Sequence, residues 1–213
     1  CIIAEHTGAH VHIAHVASKG AIDIIRQYKA KGVNVTSEVT VHHLTLTDEA
    51  CATYNPATRV SPPLRSWDHV QAMREAVLDG TVDAIVTDHA PHAPEEKDVE
   101  FRYAPCGFCG LETSLGVMLT DLYHTNIFDL KTIISKMSCE PSKLFKLERG
   151  TLAEGAVADI TIMDLNKEWT VDSSKFYTRG KFTPYEGKEC KGKAVATMLA
   201  GKFVMRDGVV CAK

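Results

Sequence analysis

The sequence predicts an α/β protein built around a parallel sheet, and the alternation of strand and helix signals in its first half carries that prediction. Strand signals, rich in β-branched and apolar residues, lie at 9–15, 33–41 and 82–86. Helical periodicity lies between them, at 20–31 and 67–78. Two βα units followed by a third strand favour a TIM-like barrel or a doubly wound sheet, and this pattern alone leaves both open.

The boundaries of the first elements follow from caps. Residues 1–8 have the pattern of the last turns of a helix that closes on a glycine. Because a natural chain rarely opens in this way, we expect an amino-terminal part of a longer protein to precede it. Gly32 ends the helix at 20–31, and Ser66 is a suitable N-cap for the helix that runs to Leu78.

The second half of the chain changes character after Gly150. Helices are predicted before it, at Leu111–Tyr123, Leu130–Met137 and Pro141–Leu147. Short strands are predicted after it, at Ala158–Met163 and Ala194–Met205, with tight turns at Ala200–Lys202 and Arg206–Gly208. We therefore predict two domains, an α/β domain over residues 1–150 and a small β-domain over residues 151–213.

Composition limits the class of protein. The chain has 213 residues, of which 45% are hydrophobic, and a formal net charge of −3, so it can bury a sizeable core. Mild acidity disfavours nucleic acid or membrane as the main partner. No apolar run reaches the ~20 residues of a transmembrane helix, and no secretory signal is visible. The seven scattered cysteines predict reduced thiols in a cytoplasmic protein.

The segment Thr87-Asp88-His89-Ala90-Pro91-His92 is the most informative stretch of the chain. It follows a buried strand signal, so a carboxylate comes at the carboxyl end of a strand with two imidazoles just beyond it. In parallel α/β proteins that edge usually carries the chemistry. These groups suit a divalent metal such as zinc and can move protons. The alternative is an aspartate that caps a turn beside surface histidines.

Histidines also end the other two predicted strands. His15 is the last polar residue of the first strand and is well placed to reach over the sheet edge. With Asp88 it forms a normal pair of zinc ligands, although zinc generally takes about three or four ligands. Without Asp88, a buried and hydrogen-bonded histidine would be the preferred interpretation. For His42 and His43 we favour a structural or ligand-supporting role over metal binding.

Two further segments are candidates for contact with a ligand. Prolines fix the path of residues 59–65, which either holds Ser61 or Arg65 toward a substrate or crosses the surface with Arg65 solvated. Cys106 and Cys109 have C-x-x-C spacing, but no second pair accompanies them, which disfavours a redox or structural-metal role. Gly107 permits a close approach of the main chain to a ligand.

Eight short segments, taken in order, carry a family resemblance. They are His12–Val16, Glu38–Leu44, Ser61–Arg65, Thr87–His92, Gly110–Thr113, Gly150–Leu152, Ala158–Ile160 and Thr183–Gly187. Together they resemble dihydroorotases of the class I type, within the amidohydrolase superfamily, and the resemblance covers essentially the whole chain. It implies the carboxyl-terminal portion of a TIM-type (β/α)8 barrel, comprising its last three strands, followed by part of a small β-sandwich domain.

The resemblance also implies roles for individual residues. His15 and Asp88 would bind zinc, with two ions in the full-length protein, and Asp88 would also be the general acid/base. Ser61, His92, Cys106 and Gly107 would contact the substrate, the last two through their backbone. The implied reaction interconverts N-carbamoyl-L-aspartate and L-dihydroorotate in pyrimidine biosynthesis. The remaining ligands, a His-x-His pair among them, would lie on strands that this sequence does not contain.

Alternatives to this activity remain open. Many dihydroorotases carry Asn where this chain has Ser61, whereas hydantoinase-like relatives carry Ser, so a hydantoinase or allantoinase is the second candidate. The third is a catalytically inactive dihydroorotase-like subunit that scaffolds a partner enzyme. For partners, the resemblance leaves two alternatives open, a homo-oligomer and an aspartate transcarbamoylase. Because three barrel strands leave open edges, we expect the 213 residues alone to be inactive and prone to aggregation.

Overall fold

The computed structural model describes residues 1–211, which form two compact units. The first unit consists of Cys1–Ser114 and Val171–Lys188, and the second consists of Leu115–Thr170 and the chain from Glu189 onward. Each unit draws on segments from both sides of residue 150. The two-domain division at that residue therefore stays a prediction.

A parallel sheet of three strands organises the first unit. Its strands are β1 (Val11–Ile13), β2 (Val35–Thr40) and β3 (Ala84–Val86), in the order β1-β2-β3. Val11 pairs with Val35 and Glu38 pairs with Ala84, both in parallel register. All three carboxyl ends therefore lie at the same edge of the sheet, and the prediction of an α/β protein is confirmed.

The helices of this unit agree with the cap signals where those signals are strong. They are α1 (Ile2–Thr7), α2 (Lys19–Ala30), α3 (Val41–Thr45), α4 (Trp67–Leu78) and α5 (Pro94–Lys97), with 3-10 turns at Asp48–Cys51, Pro56–Thr58 and Ser173–Lys175. Gly8 closes α1 in a left-handed conformation with φ 70°. Ile22 and Ile25 of α2 and Met73 of α4 are buried, so each long helix turns one apolar face to the core.

The strands are shorter than the sequence predicts. The predicted second strand runs to Val41, but β2 ends at Thr40 and α3 begins at the next residue. The reason is an N-cap, because the Thr40 side chain accepts a hydrogen bond from the backbone N–H of His43. β1 likewise ends at Ile13, so His15 lies beyond the strand rather than on it.

The second unit combines helices with an antiparallel sheet. Its helical segments are α6 (Ser114–Met118, of which the first residue belongs to the other unit), α7 (Leu130–Ile134) and α8 (Glu140–Leu144), with π-helical turns at Leu119–Tyr123 and Ser135–Cys139. Its strands are β4 (Ile160–Thr170), β5 (Glu189–Leu199), β6 (Lys202–Arg206) and β7 (Val209–Val210), paired in that order. The predicted turn at Ala200 falls between β5 and β6. In the described part of the chain, no helix is both long and apolar enough to cross a bilayer.

Candidate active site

His15 and Asp88 occupy equivalent places at the carboxyl edge of the parallel sheet. His15 follows the last residue of β1 by two positions, and Asp88 follows the last residue of β3 by two. Both have left-handed backbone, with φ 37° for His15 and 48° for Asp88. Side-chain-bearing residues adopt this conformation rarely, and it is enriched at functional sites. Both side chains are half-buried, so they remain open to a ligand.

Glu38 supports the turn that carries His15. Its Oε1 accepts a long hydrogen bond from the backbone N–H of His15, at 3.4 Å, and its Oε2 accepts from Nε2 of His12, at 3.1 Å. The Nδ1 atom of His12 lies 2.8 Å from the hydroxyl of Thr36. The Glu38 carboxylate on β2 thus connects His12, within β1, to His15 in the turn that follows β1.

His43 is fully engaged inside the protein. Its Nδ1 lies 2.7 Å from the Thr40 hydroxyl, and its Nε2 lies 3.1 Å from the Pro62 carbonyl oxygen. A carbonyl can only accept, so Nε2 carries the proton and Nδ1 accepts from Thr40. Burial lowers the pKa of His43 to about 4, which keeps the ring neutral. The structure therefore gives His43 a structural role, as we favoured from the sequence.

His42 is buried without a hydrogen bond. It is 1% exposed, and among residues 1–211 neither ring nitrogen has a partner. Its ring packs edge-on against Phe108, with 5.0 Å between centroids. Burial, then the neighbouring His43 and His15, hold the pKa of His42 well below its usual value. The imidazole is thus neutral, and its enclosure disfavours metal binding from its present position.

The structure brings most of the predicted substrate residues together. Nε2 of His92 donates to the Cys106 carbonyl over 2.9 Å, and the Gly107 N–H donates to the Arg59 carbonyl over 2.9 Å. The loop through Cys106 is therefore joined both to the segment after Asp88 and to the segment that leads to Ser61. The side chains of Ser61, two residues after Arg59, and of Cys106 are exposed.

Only glycine fits at position 107. Its φ is 118°, and a Cβ there would lie 2.5 Å from the Cβ of Ala90 and 3.3 Å from Nε2 of His92. The loop backbone thus packs directly on the segment that follows Asp88. This agrees with the sequence argument that Gly107 permits close main-chain approach.

The other candidates are engaged within the fold. Nη2 of Arg65 lies 3.2 Å from Nε2 of His69, and the guanidinium is half-buried. Cys109 is buried, and desolvation raises the pKa of its thiol. Its backbone N–H donates to the Phe182 carbonyl over 2.8 Å. Cys109 is therefore part of the packing, whereas Cys106 lies at the surface of the loop.

The donor set fits part of a zinc site. An imidazole and a carboxylate at one sheet edge are the ligand types that zinc accepts. Within residues 1–211, however, no three His, Cys, Asp or Glu side chains converge as metal ligands. His15 and Asp88 would thus be two of the about three or four ligands that a zinc site generally takes.

Sequence reasoning did not single out Lys97 or Glu38. Lys97 is completely buried, although it follows two exposed glutamates in a charged loop, and no local signal marks it. Glu38 had a signal, because Thr36, Glu38 and Thr40 alternate as polar residues along β2. A polar face on a central strand indicates a side of the sheet that faces a site rather than a core.

Comparisons with known proteins identify the relatives of this chain. The model of the amidohydrolase family matches residues 2–204. A dihydroorotase of Syntrophus aciditrophicus is 49% identical over 206 residues, which are 97% of this chain and 48% of that protein. A dihydroorotase of Pelotomaculum thermopropionicum is 47% identical over 209 residues, 98% of this chain and 49% of that protein.

A solved structure has the same fold over the whole chain. The L-hydantoinase (dihydropyrimidinase) from Arthrobacter aurescens superimposes with a TM-score of 0.95 and 30% identity, covering 100% of this chain and 48% of that chain. The chain thus spans about half the length of the curated relatives that it matches.

Proposed function

The chain belongs to the amidohydrolase family, and from that premise we propose that the whole protein is a zinc-dependent dihydroorotase. It interconverts N-carbamoyl-L-aspartate and L-dihydroorotate, a step of pyrimidine biosynthesis. The observation that carries the proposal is the placement of His15 and Asp88, which follow the carboxyl ends of the two outer strands, β1 and β3, of one parallel sheet and have left-handed backbone. The similarity to curated dihydroorotases over nearly the whole chain supports the choice of substrate.

The sheet is proposed to be the last part of a TIM-type barrel. Its three parallel strands have an open edge on either side, which a barrel closes with further strands. The antiparallel sheet β4–β7 is then part of a small β-sandwich domain. The fit to a structure of about twice the length supports this arrangement.

His15 and Asp88 would each hold a zinc ion. A zinc ion held there would supply a nucleophilic hydroxide near neutral pH and would polarise the amide carbonyl. The carboxylate of Asp88 takes up the proton of the nucleophile and delivers it to the leaving amide nitrogen. Its left-handed backbone turns Asp88 out of the strand, and its half-exposed side chain can reach a bound substrate.

The neighbouring segments would orient the substrate. The His92 Nε2–H and the Gly107 N–H both donate to backbone carbonyls, which would hold the backbone around Cys106 and Gly107 in place before substrate binds. Preformed geometry of this kind lowers the entropy that binding costs. The exposed Ser61 hydroxyl offers one donor and two acceptor sites to a polar ring edge.

A hydantoinase is the second candidate, and a specific observation favours it. Ser61 stands where hydantoinase-like relatives carry serine, and an L-hydantoinase structure matches the whole chain. The serine hydroxyl cannot replace both the C=O and the NH₂ group of the asparagine that many dihydroorotases carry at this position. The inactive scaffold is less favoured, because His15 and Asp88 are both retained in an accessible arrangement.

The test is ring opening by the whole protein with zinc present. We expect turnover of L-dihydroorotate that exceeds turnover of hydantoin, and loss of ~10²–10⁴-fold activity in Asp88→Asn with the fold kept. Asp207→Asn is the matched control, because Asp207 is also an aspartate with left-handed backbone (φ 52°) but is exposed in a turn. Turnover of hydantoin alone would favour the second candidate. Normal turnover in Asp88→Asn would exclude the acid/base role.

A further inference from the structure

Lys97 is a buried lysine without a carboxylate partner. It ends the short helix α5 and is 0% exposed, which makes it one of the large, fully buried side chains of the described residues. No Asp or Glu among residues 1–211 pairs with it. Burying an ammonium group costs free energy unless good acceptors form hydrogen bonds with its N–H groups. The identity of the groups that accept hydrogen bonds from Lys97 is therefore informative about its role.

The acceptors of Lys97 are two backbone carbonyls from different segments. Nζ donates to the Pro105 oxygen over 2.7 Å and more weakly to the Arg59 oxygen over 3.5 Å. The same Arg59 oxygen receives the Gly107 N–H over 2.9 Å. One ammonium group thus joins the loop that carries Cys106 and Gly107 to the segment that leads to Ser61.

The two hydrogen bonds of Lys97 can form whether its amine is charged or neutral. Burial lowers the pKa of Lys97 to about 8. A neutral amine keeps two N–H donors, which is the number that the two carbonyls require. The connection between the segments can therefore form in both protonation states.

Helix α5 offers little other packing. Its remaining residues, Pro94, Glu95 and Glu96, are exposed. Within α5 the side chain of Lys97 donates to both segments, while Glu96 lies 3.9 Å from His92. A lysine that served only to fill the core would not direct its ammonium group to both segments.

We propose that Lys97 is a positioning residue that fixes the distance between the Ser61 segment and the Cys106–Gly107 loop, and so shapes the substrate subsite between them. The effect on substrate rests on the proposed function, since Ser61, Cys106 and Gly107 are substrate contacts only there. The connection between the segments itself does not rest on it. Lys97 acts through backbone atoms and touches no reacting group.

The test compares two lysine substitutions in the whole, zinc-loaded protein. Lys97→Met keeps an unbranched side chain, one atom shorter, and removes every side-chain N–H donor, whereas Lys143→Met removes an exposed lysine that pairs with Glu140. We measure KM and kcat for L-dihydroorotate and amide hydrogen exchange at Gly107 and in α2. For Lys97→Met we expect KM to rise about tenfold with kcat within about twofold, as for a lost donor to a buried carbonyl.

Hydrogen exchange separates positioning from general stability. We expect the Gly107 amide, which donates to Arg59, to exchange at least about tenfold faster in Lys97→Met, while α2 and the Lys143→Met protein stay unchanged. Unchanged KM and unchanged exchange would overturn the proposal. Equal acceleration in α2 would also overturn it, because Lys97 would then only stabilise the fold.

Two further outcomes are also decisive. If the parent protein does not turn over dihydroorotate, the proposed function fails, and exchange at Gly107 alone decides whether Lys97 fixes the loop. If Lys97→Met does not fold, Lys97→Gln, which keeps N–H donors on a shorter chain, takes its place with a smaller expected effect in the same direction. Failure of both to fold would assign Lys97 to the core and overturn its positioning role.

Discussion

The imidazole of His43 donates a hydrogen bond from Nε2 to the Pro62 carbonyl oxygen over 3.1 Å. Nδ1 of the same ring accepts a hydrogen bond from the hydroxyl of Thr40, the last residue of β2. A strand end is therefore connected, through one neutral side chain, to the residue that follows Ser61. This relationship explains how a proline-rich segment with an exposed serine holds a fixed place beside the sheet edge.

Removal of this hydrogen bond should weaken substrate binding. In the whole protein we expect His43→Leu to raise KM for L-dihydroorotate about tenfold, because the Pro62 carbonyl loses its donor and the Ser61 segment can shift. His43→Gln retains an N–H donor and should stay within about threefold of the wild type. Steady-state kinetics with both variants checks this, and an equal rise in KM would show that ring shape, not the donor, matters.

His43 should also make the protein sensitive to acid. Its pKa is about 4 in the folded protein, against about 6.5 in an unfolded chain. The unfolded state therefore binds the proton first, so this contribution to stability is complete above pH ~6.5 and is lost as the pH falls toward ~4. Fully lost, it amounts to about 3 kcal/mol.

Urea unfolding at two pH values measures this contribution. Between about pH 7.5 and about pH 5 we expect the wild type to lose roughly 2 kcal/mol more than His43→Gln. The difference between the two proteins cancels the titration of every group that they share. An equal loss in both would show that His43 titrates normally and that its burial is less complete than the structure indicates.

Caps and periodicity predicted the long helices well. The predicted end of α4 at Leu78 is observed, and α2 differs from its prediction by one residue at each end. The sequence did not predict α3, because Val41 continues a β-branched run and the side-chain cap from Thr40 depends on the path of the chain after it. Local patterns identify elements better than they identify the residue at which one element gives way to the next.

The sequence predicted which residues lie at the candidate site, but not the contacts that hold them in place. A histidine and an aspartate after strand signals predicted His15 and Asp88 at one edge, because parallel strands end together. Their left-handed backbone was not predictable, since it depends on contacts distant in sequence, such as the hydrogen bond from the His15 N–H to Glu38. Nor was the role of Lys97, whose acceptors are backbone atoms 8 and 38 residues away in the chain.

Position 107 should not accept a side chain, because Gly107 packs closely against Ala90. We expect Gly107→Ala to lower the free energy of unfolding by about 1–3 kcal/mol more than a matched glycine substitution, because the new Cβ would lie 2.5 Å from that of Ala90. Gly155→Ala is the control: its φ is 82°, also left-handed, but nothing lies within 4 Å of a Cβ there.

Steady-state kinetics of the two glycine variants test whether the loop at Gly107 affects substrate binding. If the loop contacts substrate, KM for L-dihydroorotate should rise in Gly107→Ala and stay unchanged in Gly155→Ala. Equal losses of stability in the two variants would mean that backbone strain, rather than the contact with Ala90, explains the glycine at position 107.

Glu112 holds the segment at residues 171–188 to its own unit through three hydrogen bonds. Its Oε2 accepts from the Tyr177 N–H at 2.9 Å, and its Oε1 accepts from the N–H and hydroxyl of Thr178 at 3.0 and 2.8 Å. Burial raises the pKa of Glu112, but these donors outweigh it and hold that pKa below its usual value. The ionised carboxylate is therefore the form that the fold requires.

Glu112→Gln should destabilise the protein, although it preserves shape. An amide offers only one acceptor oxygen, and its NH₂ group would face at least one of the N–H donors, so we expect a loss of about 1–3 kcal/mol in urea unfolding. The exposed Glu154→Gln is the control and should unfold like the wild type. The loss in Glu112→Gln should shrink as the pH falls through the lowered pKa of Glu112, because protonation then removes the carboxylate from the wild type as well. A loss that did not depend on pH would point to packing rather than to the charge of Glu112.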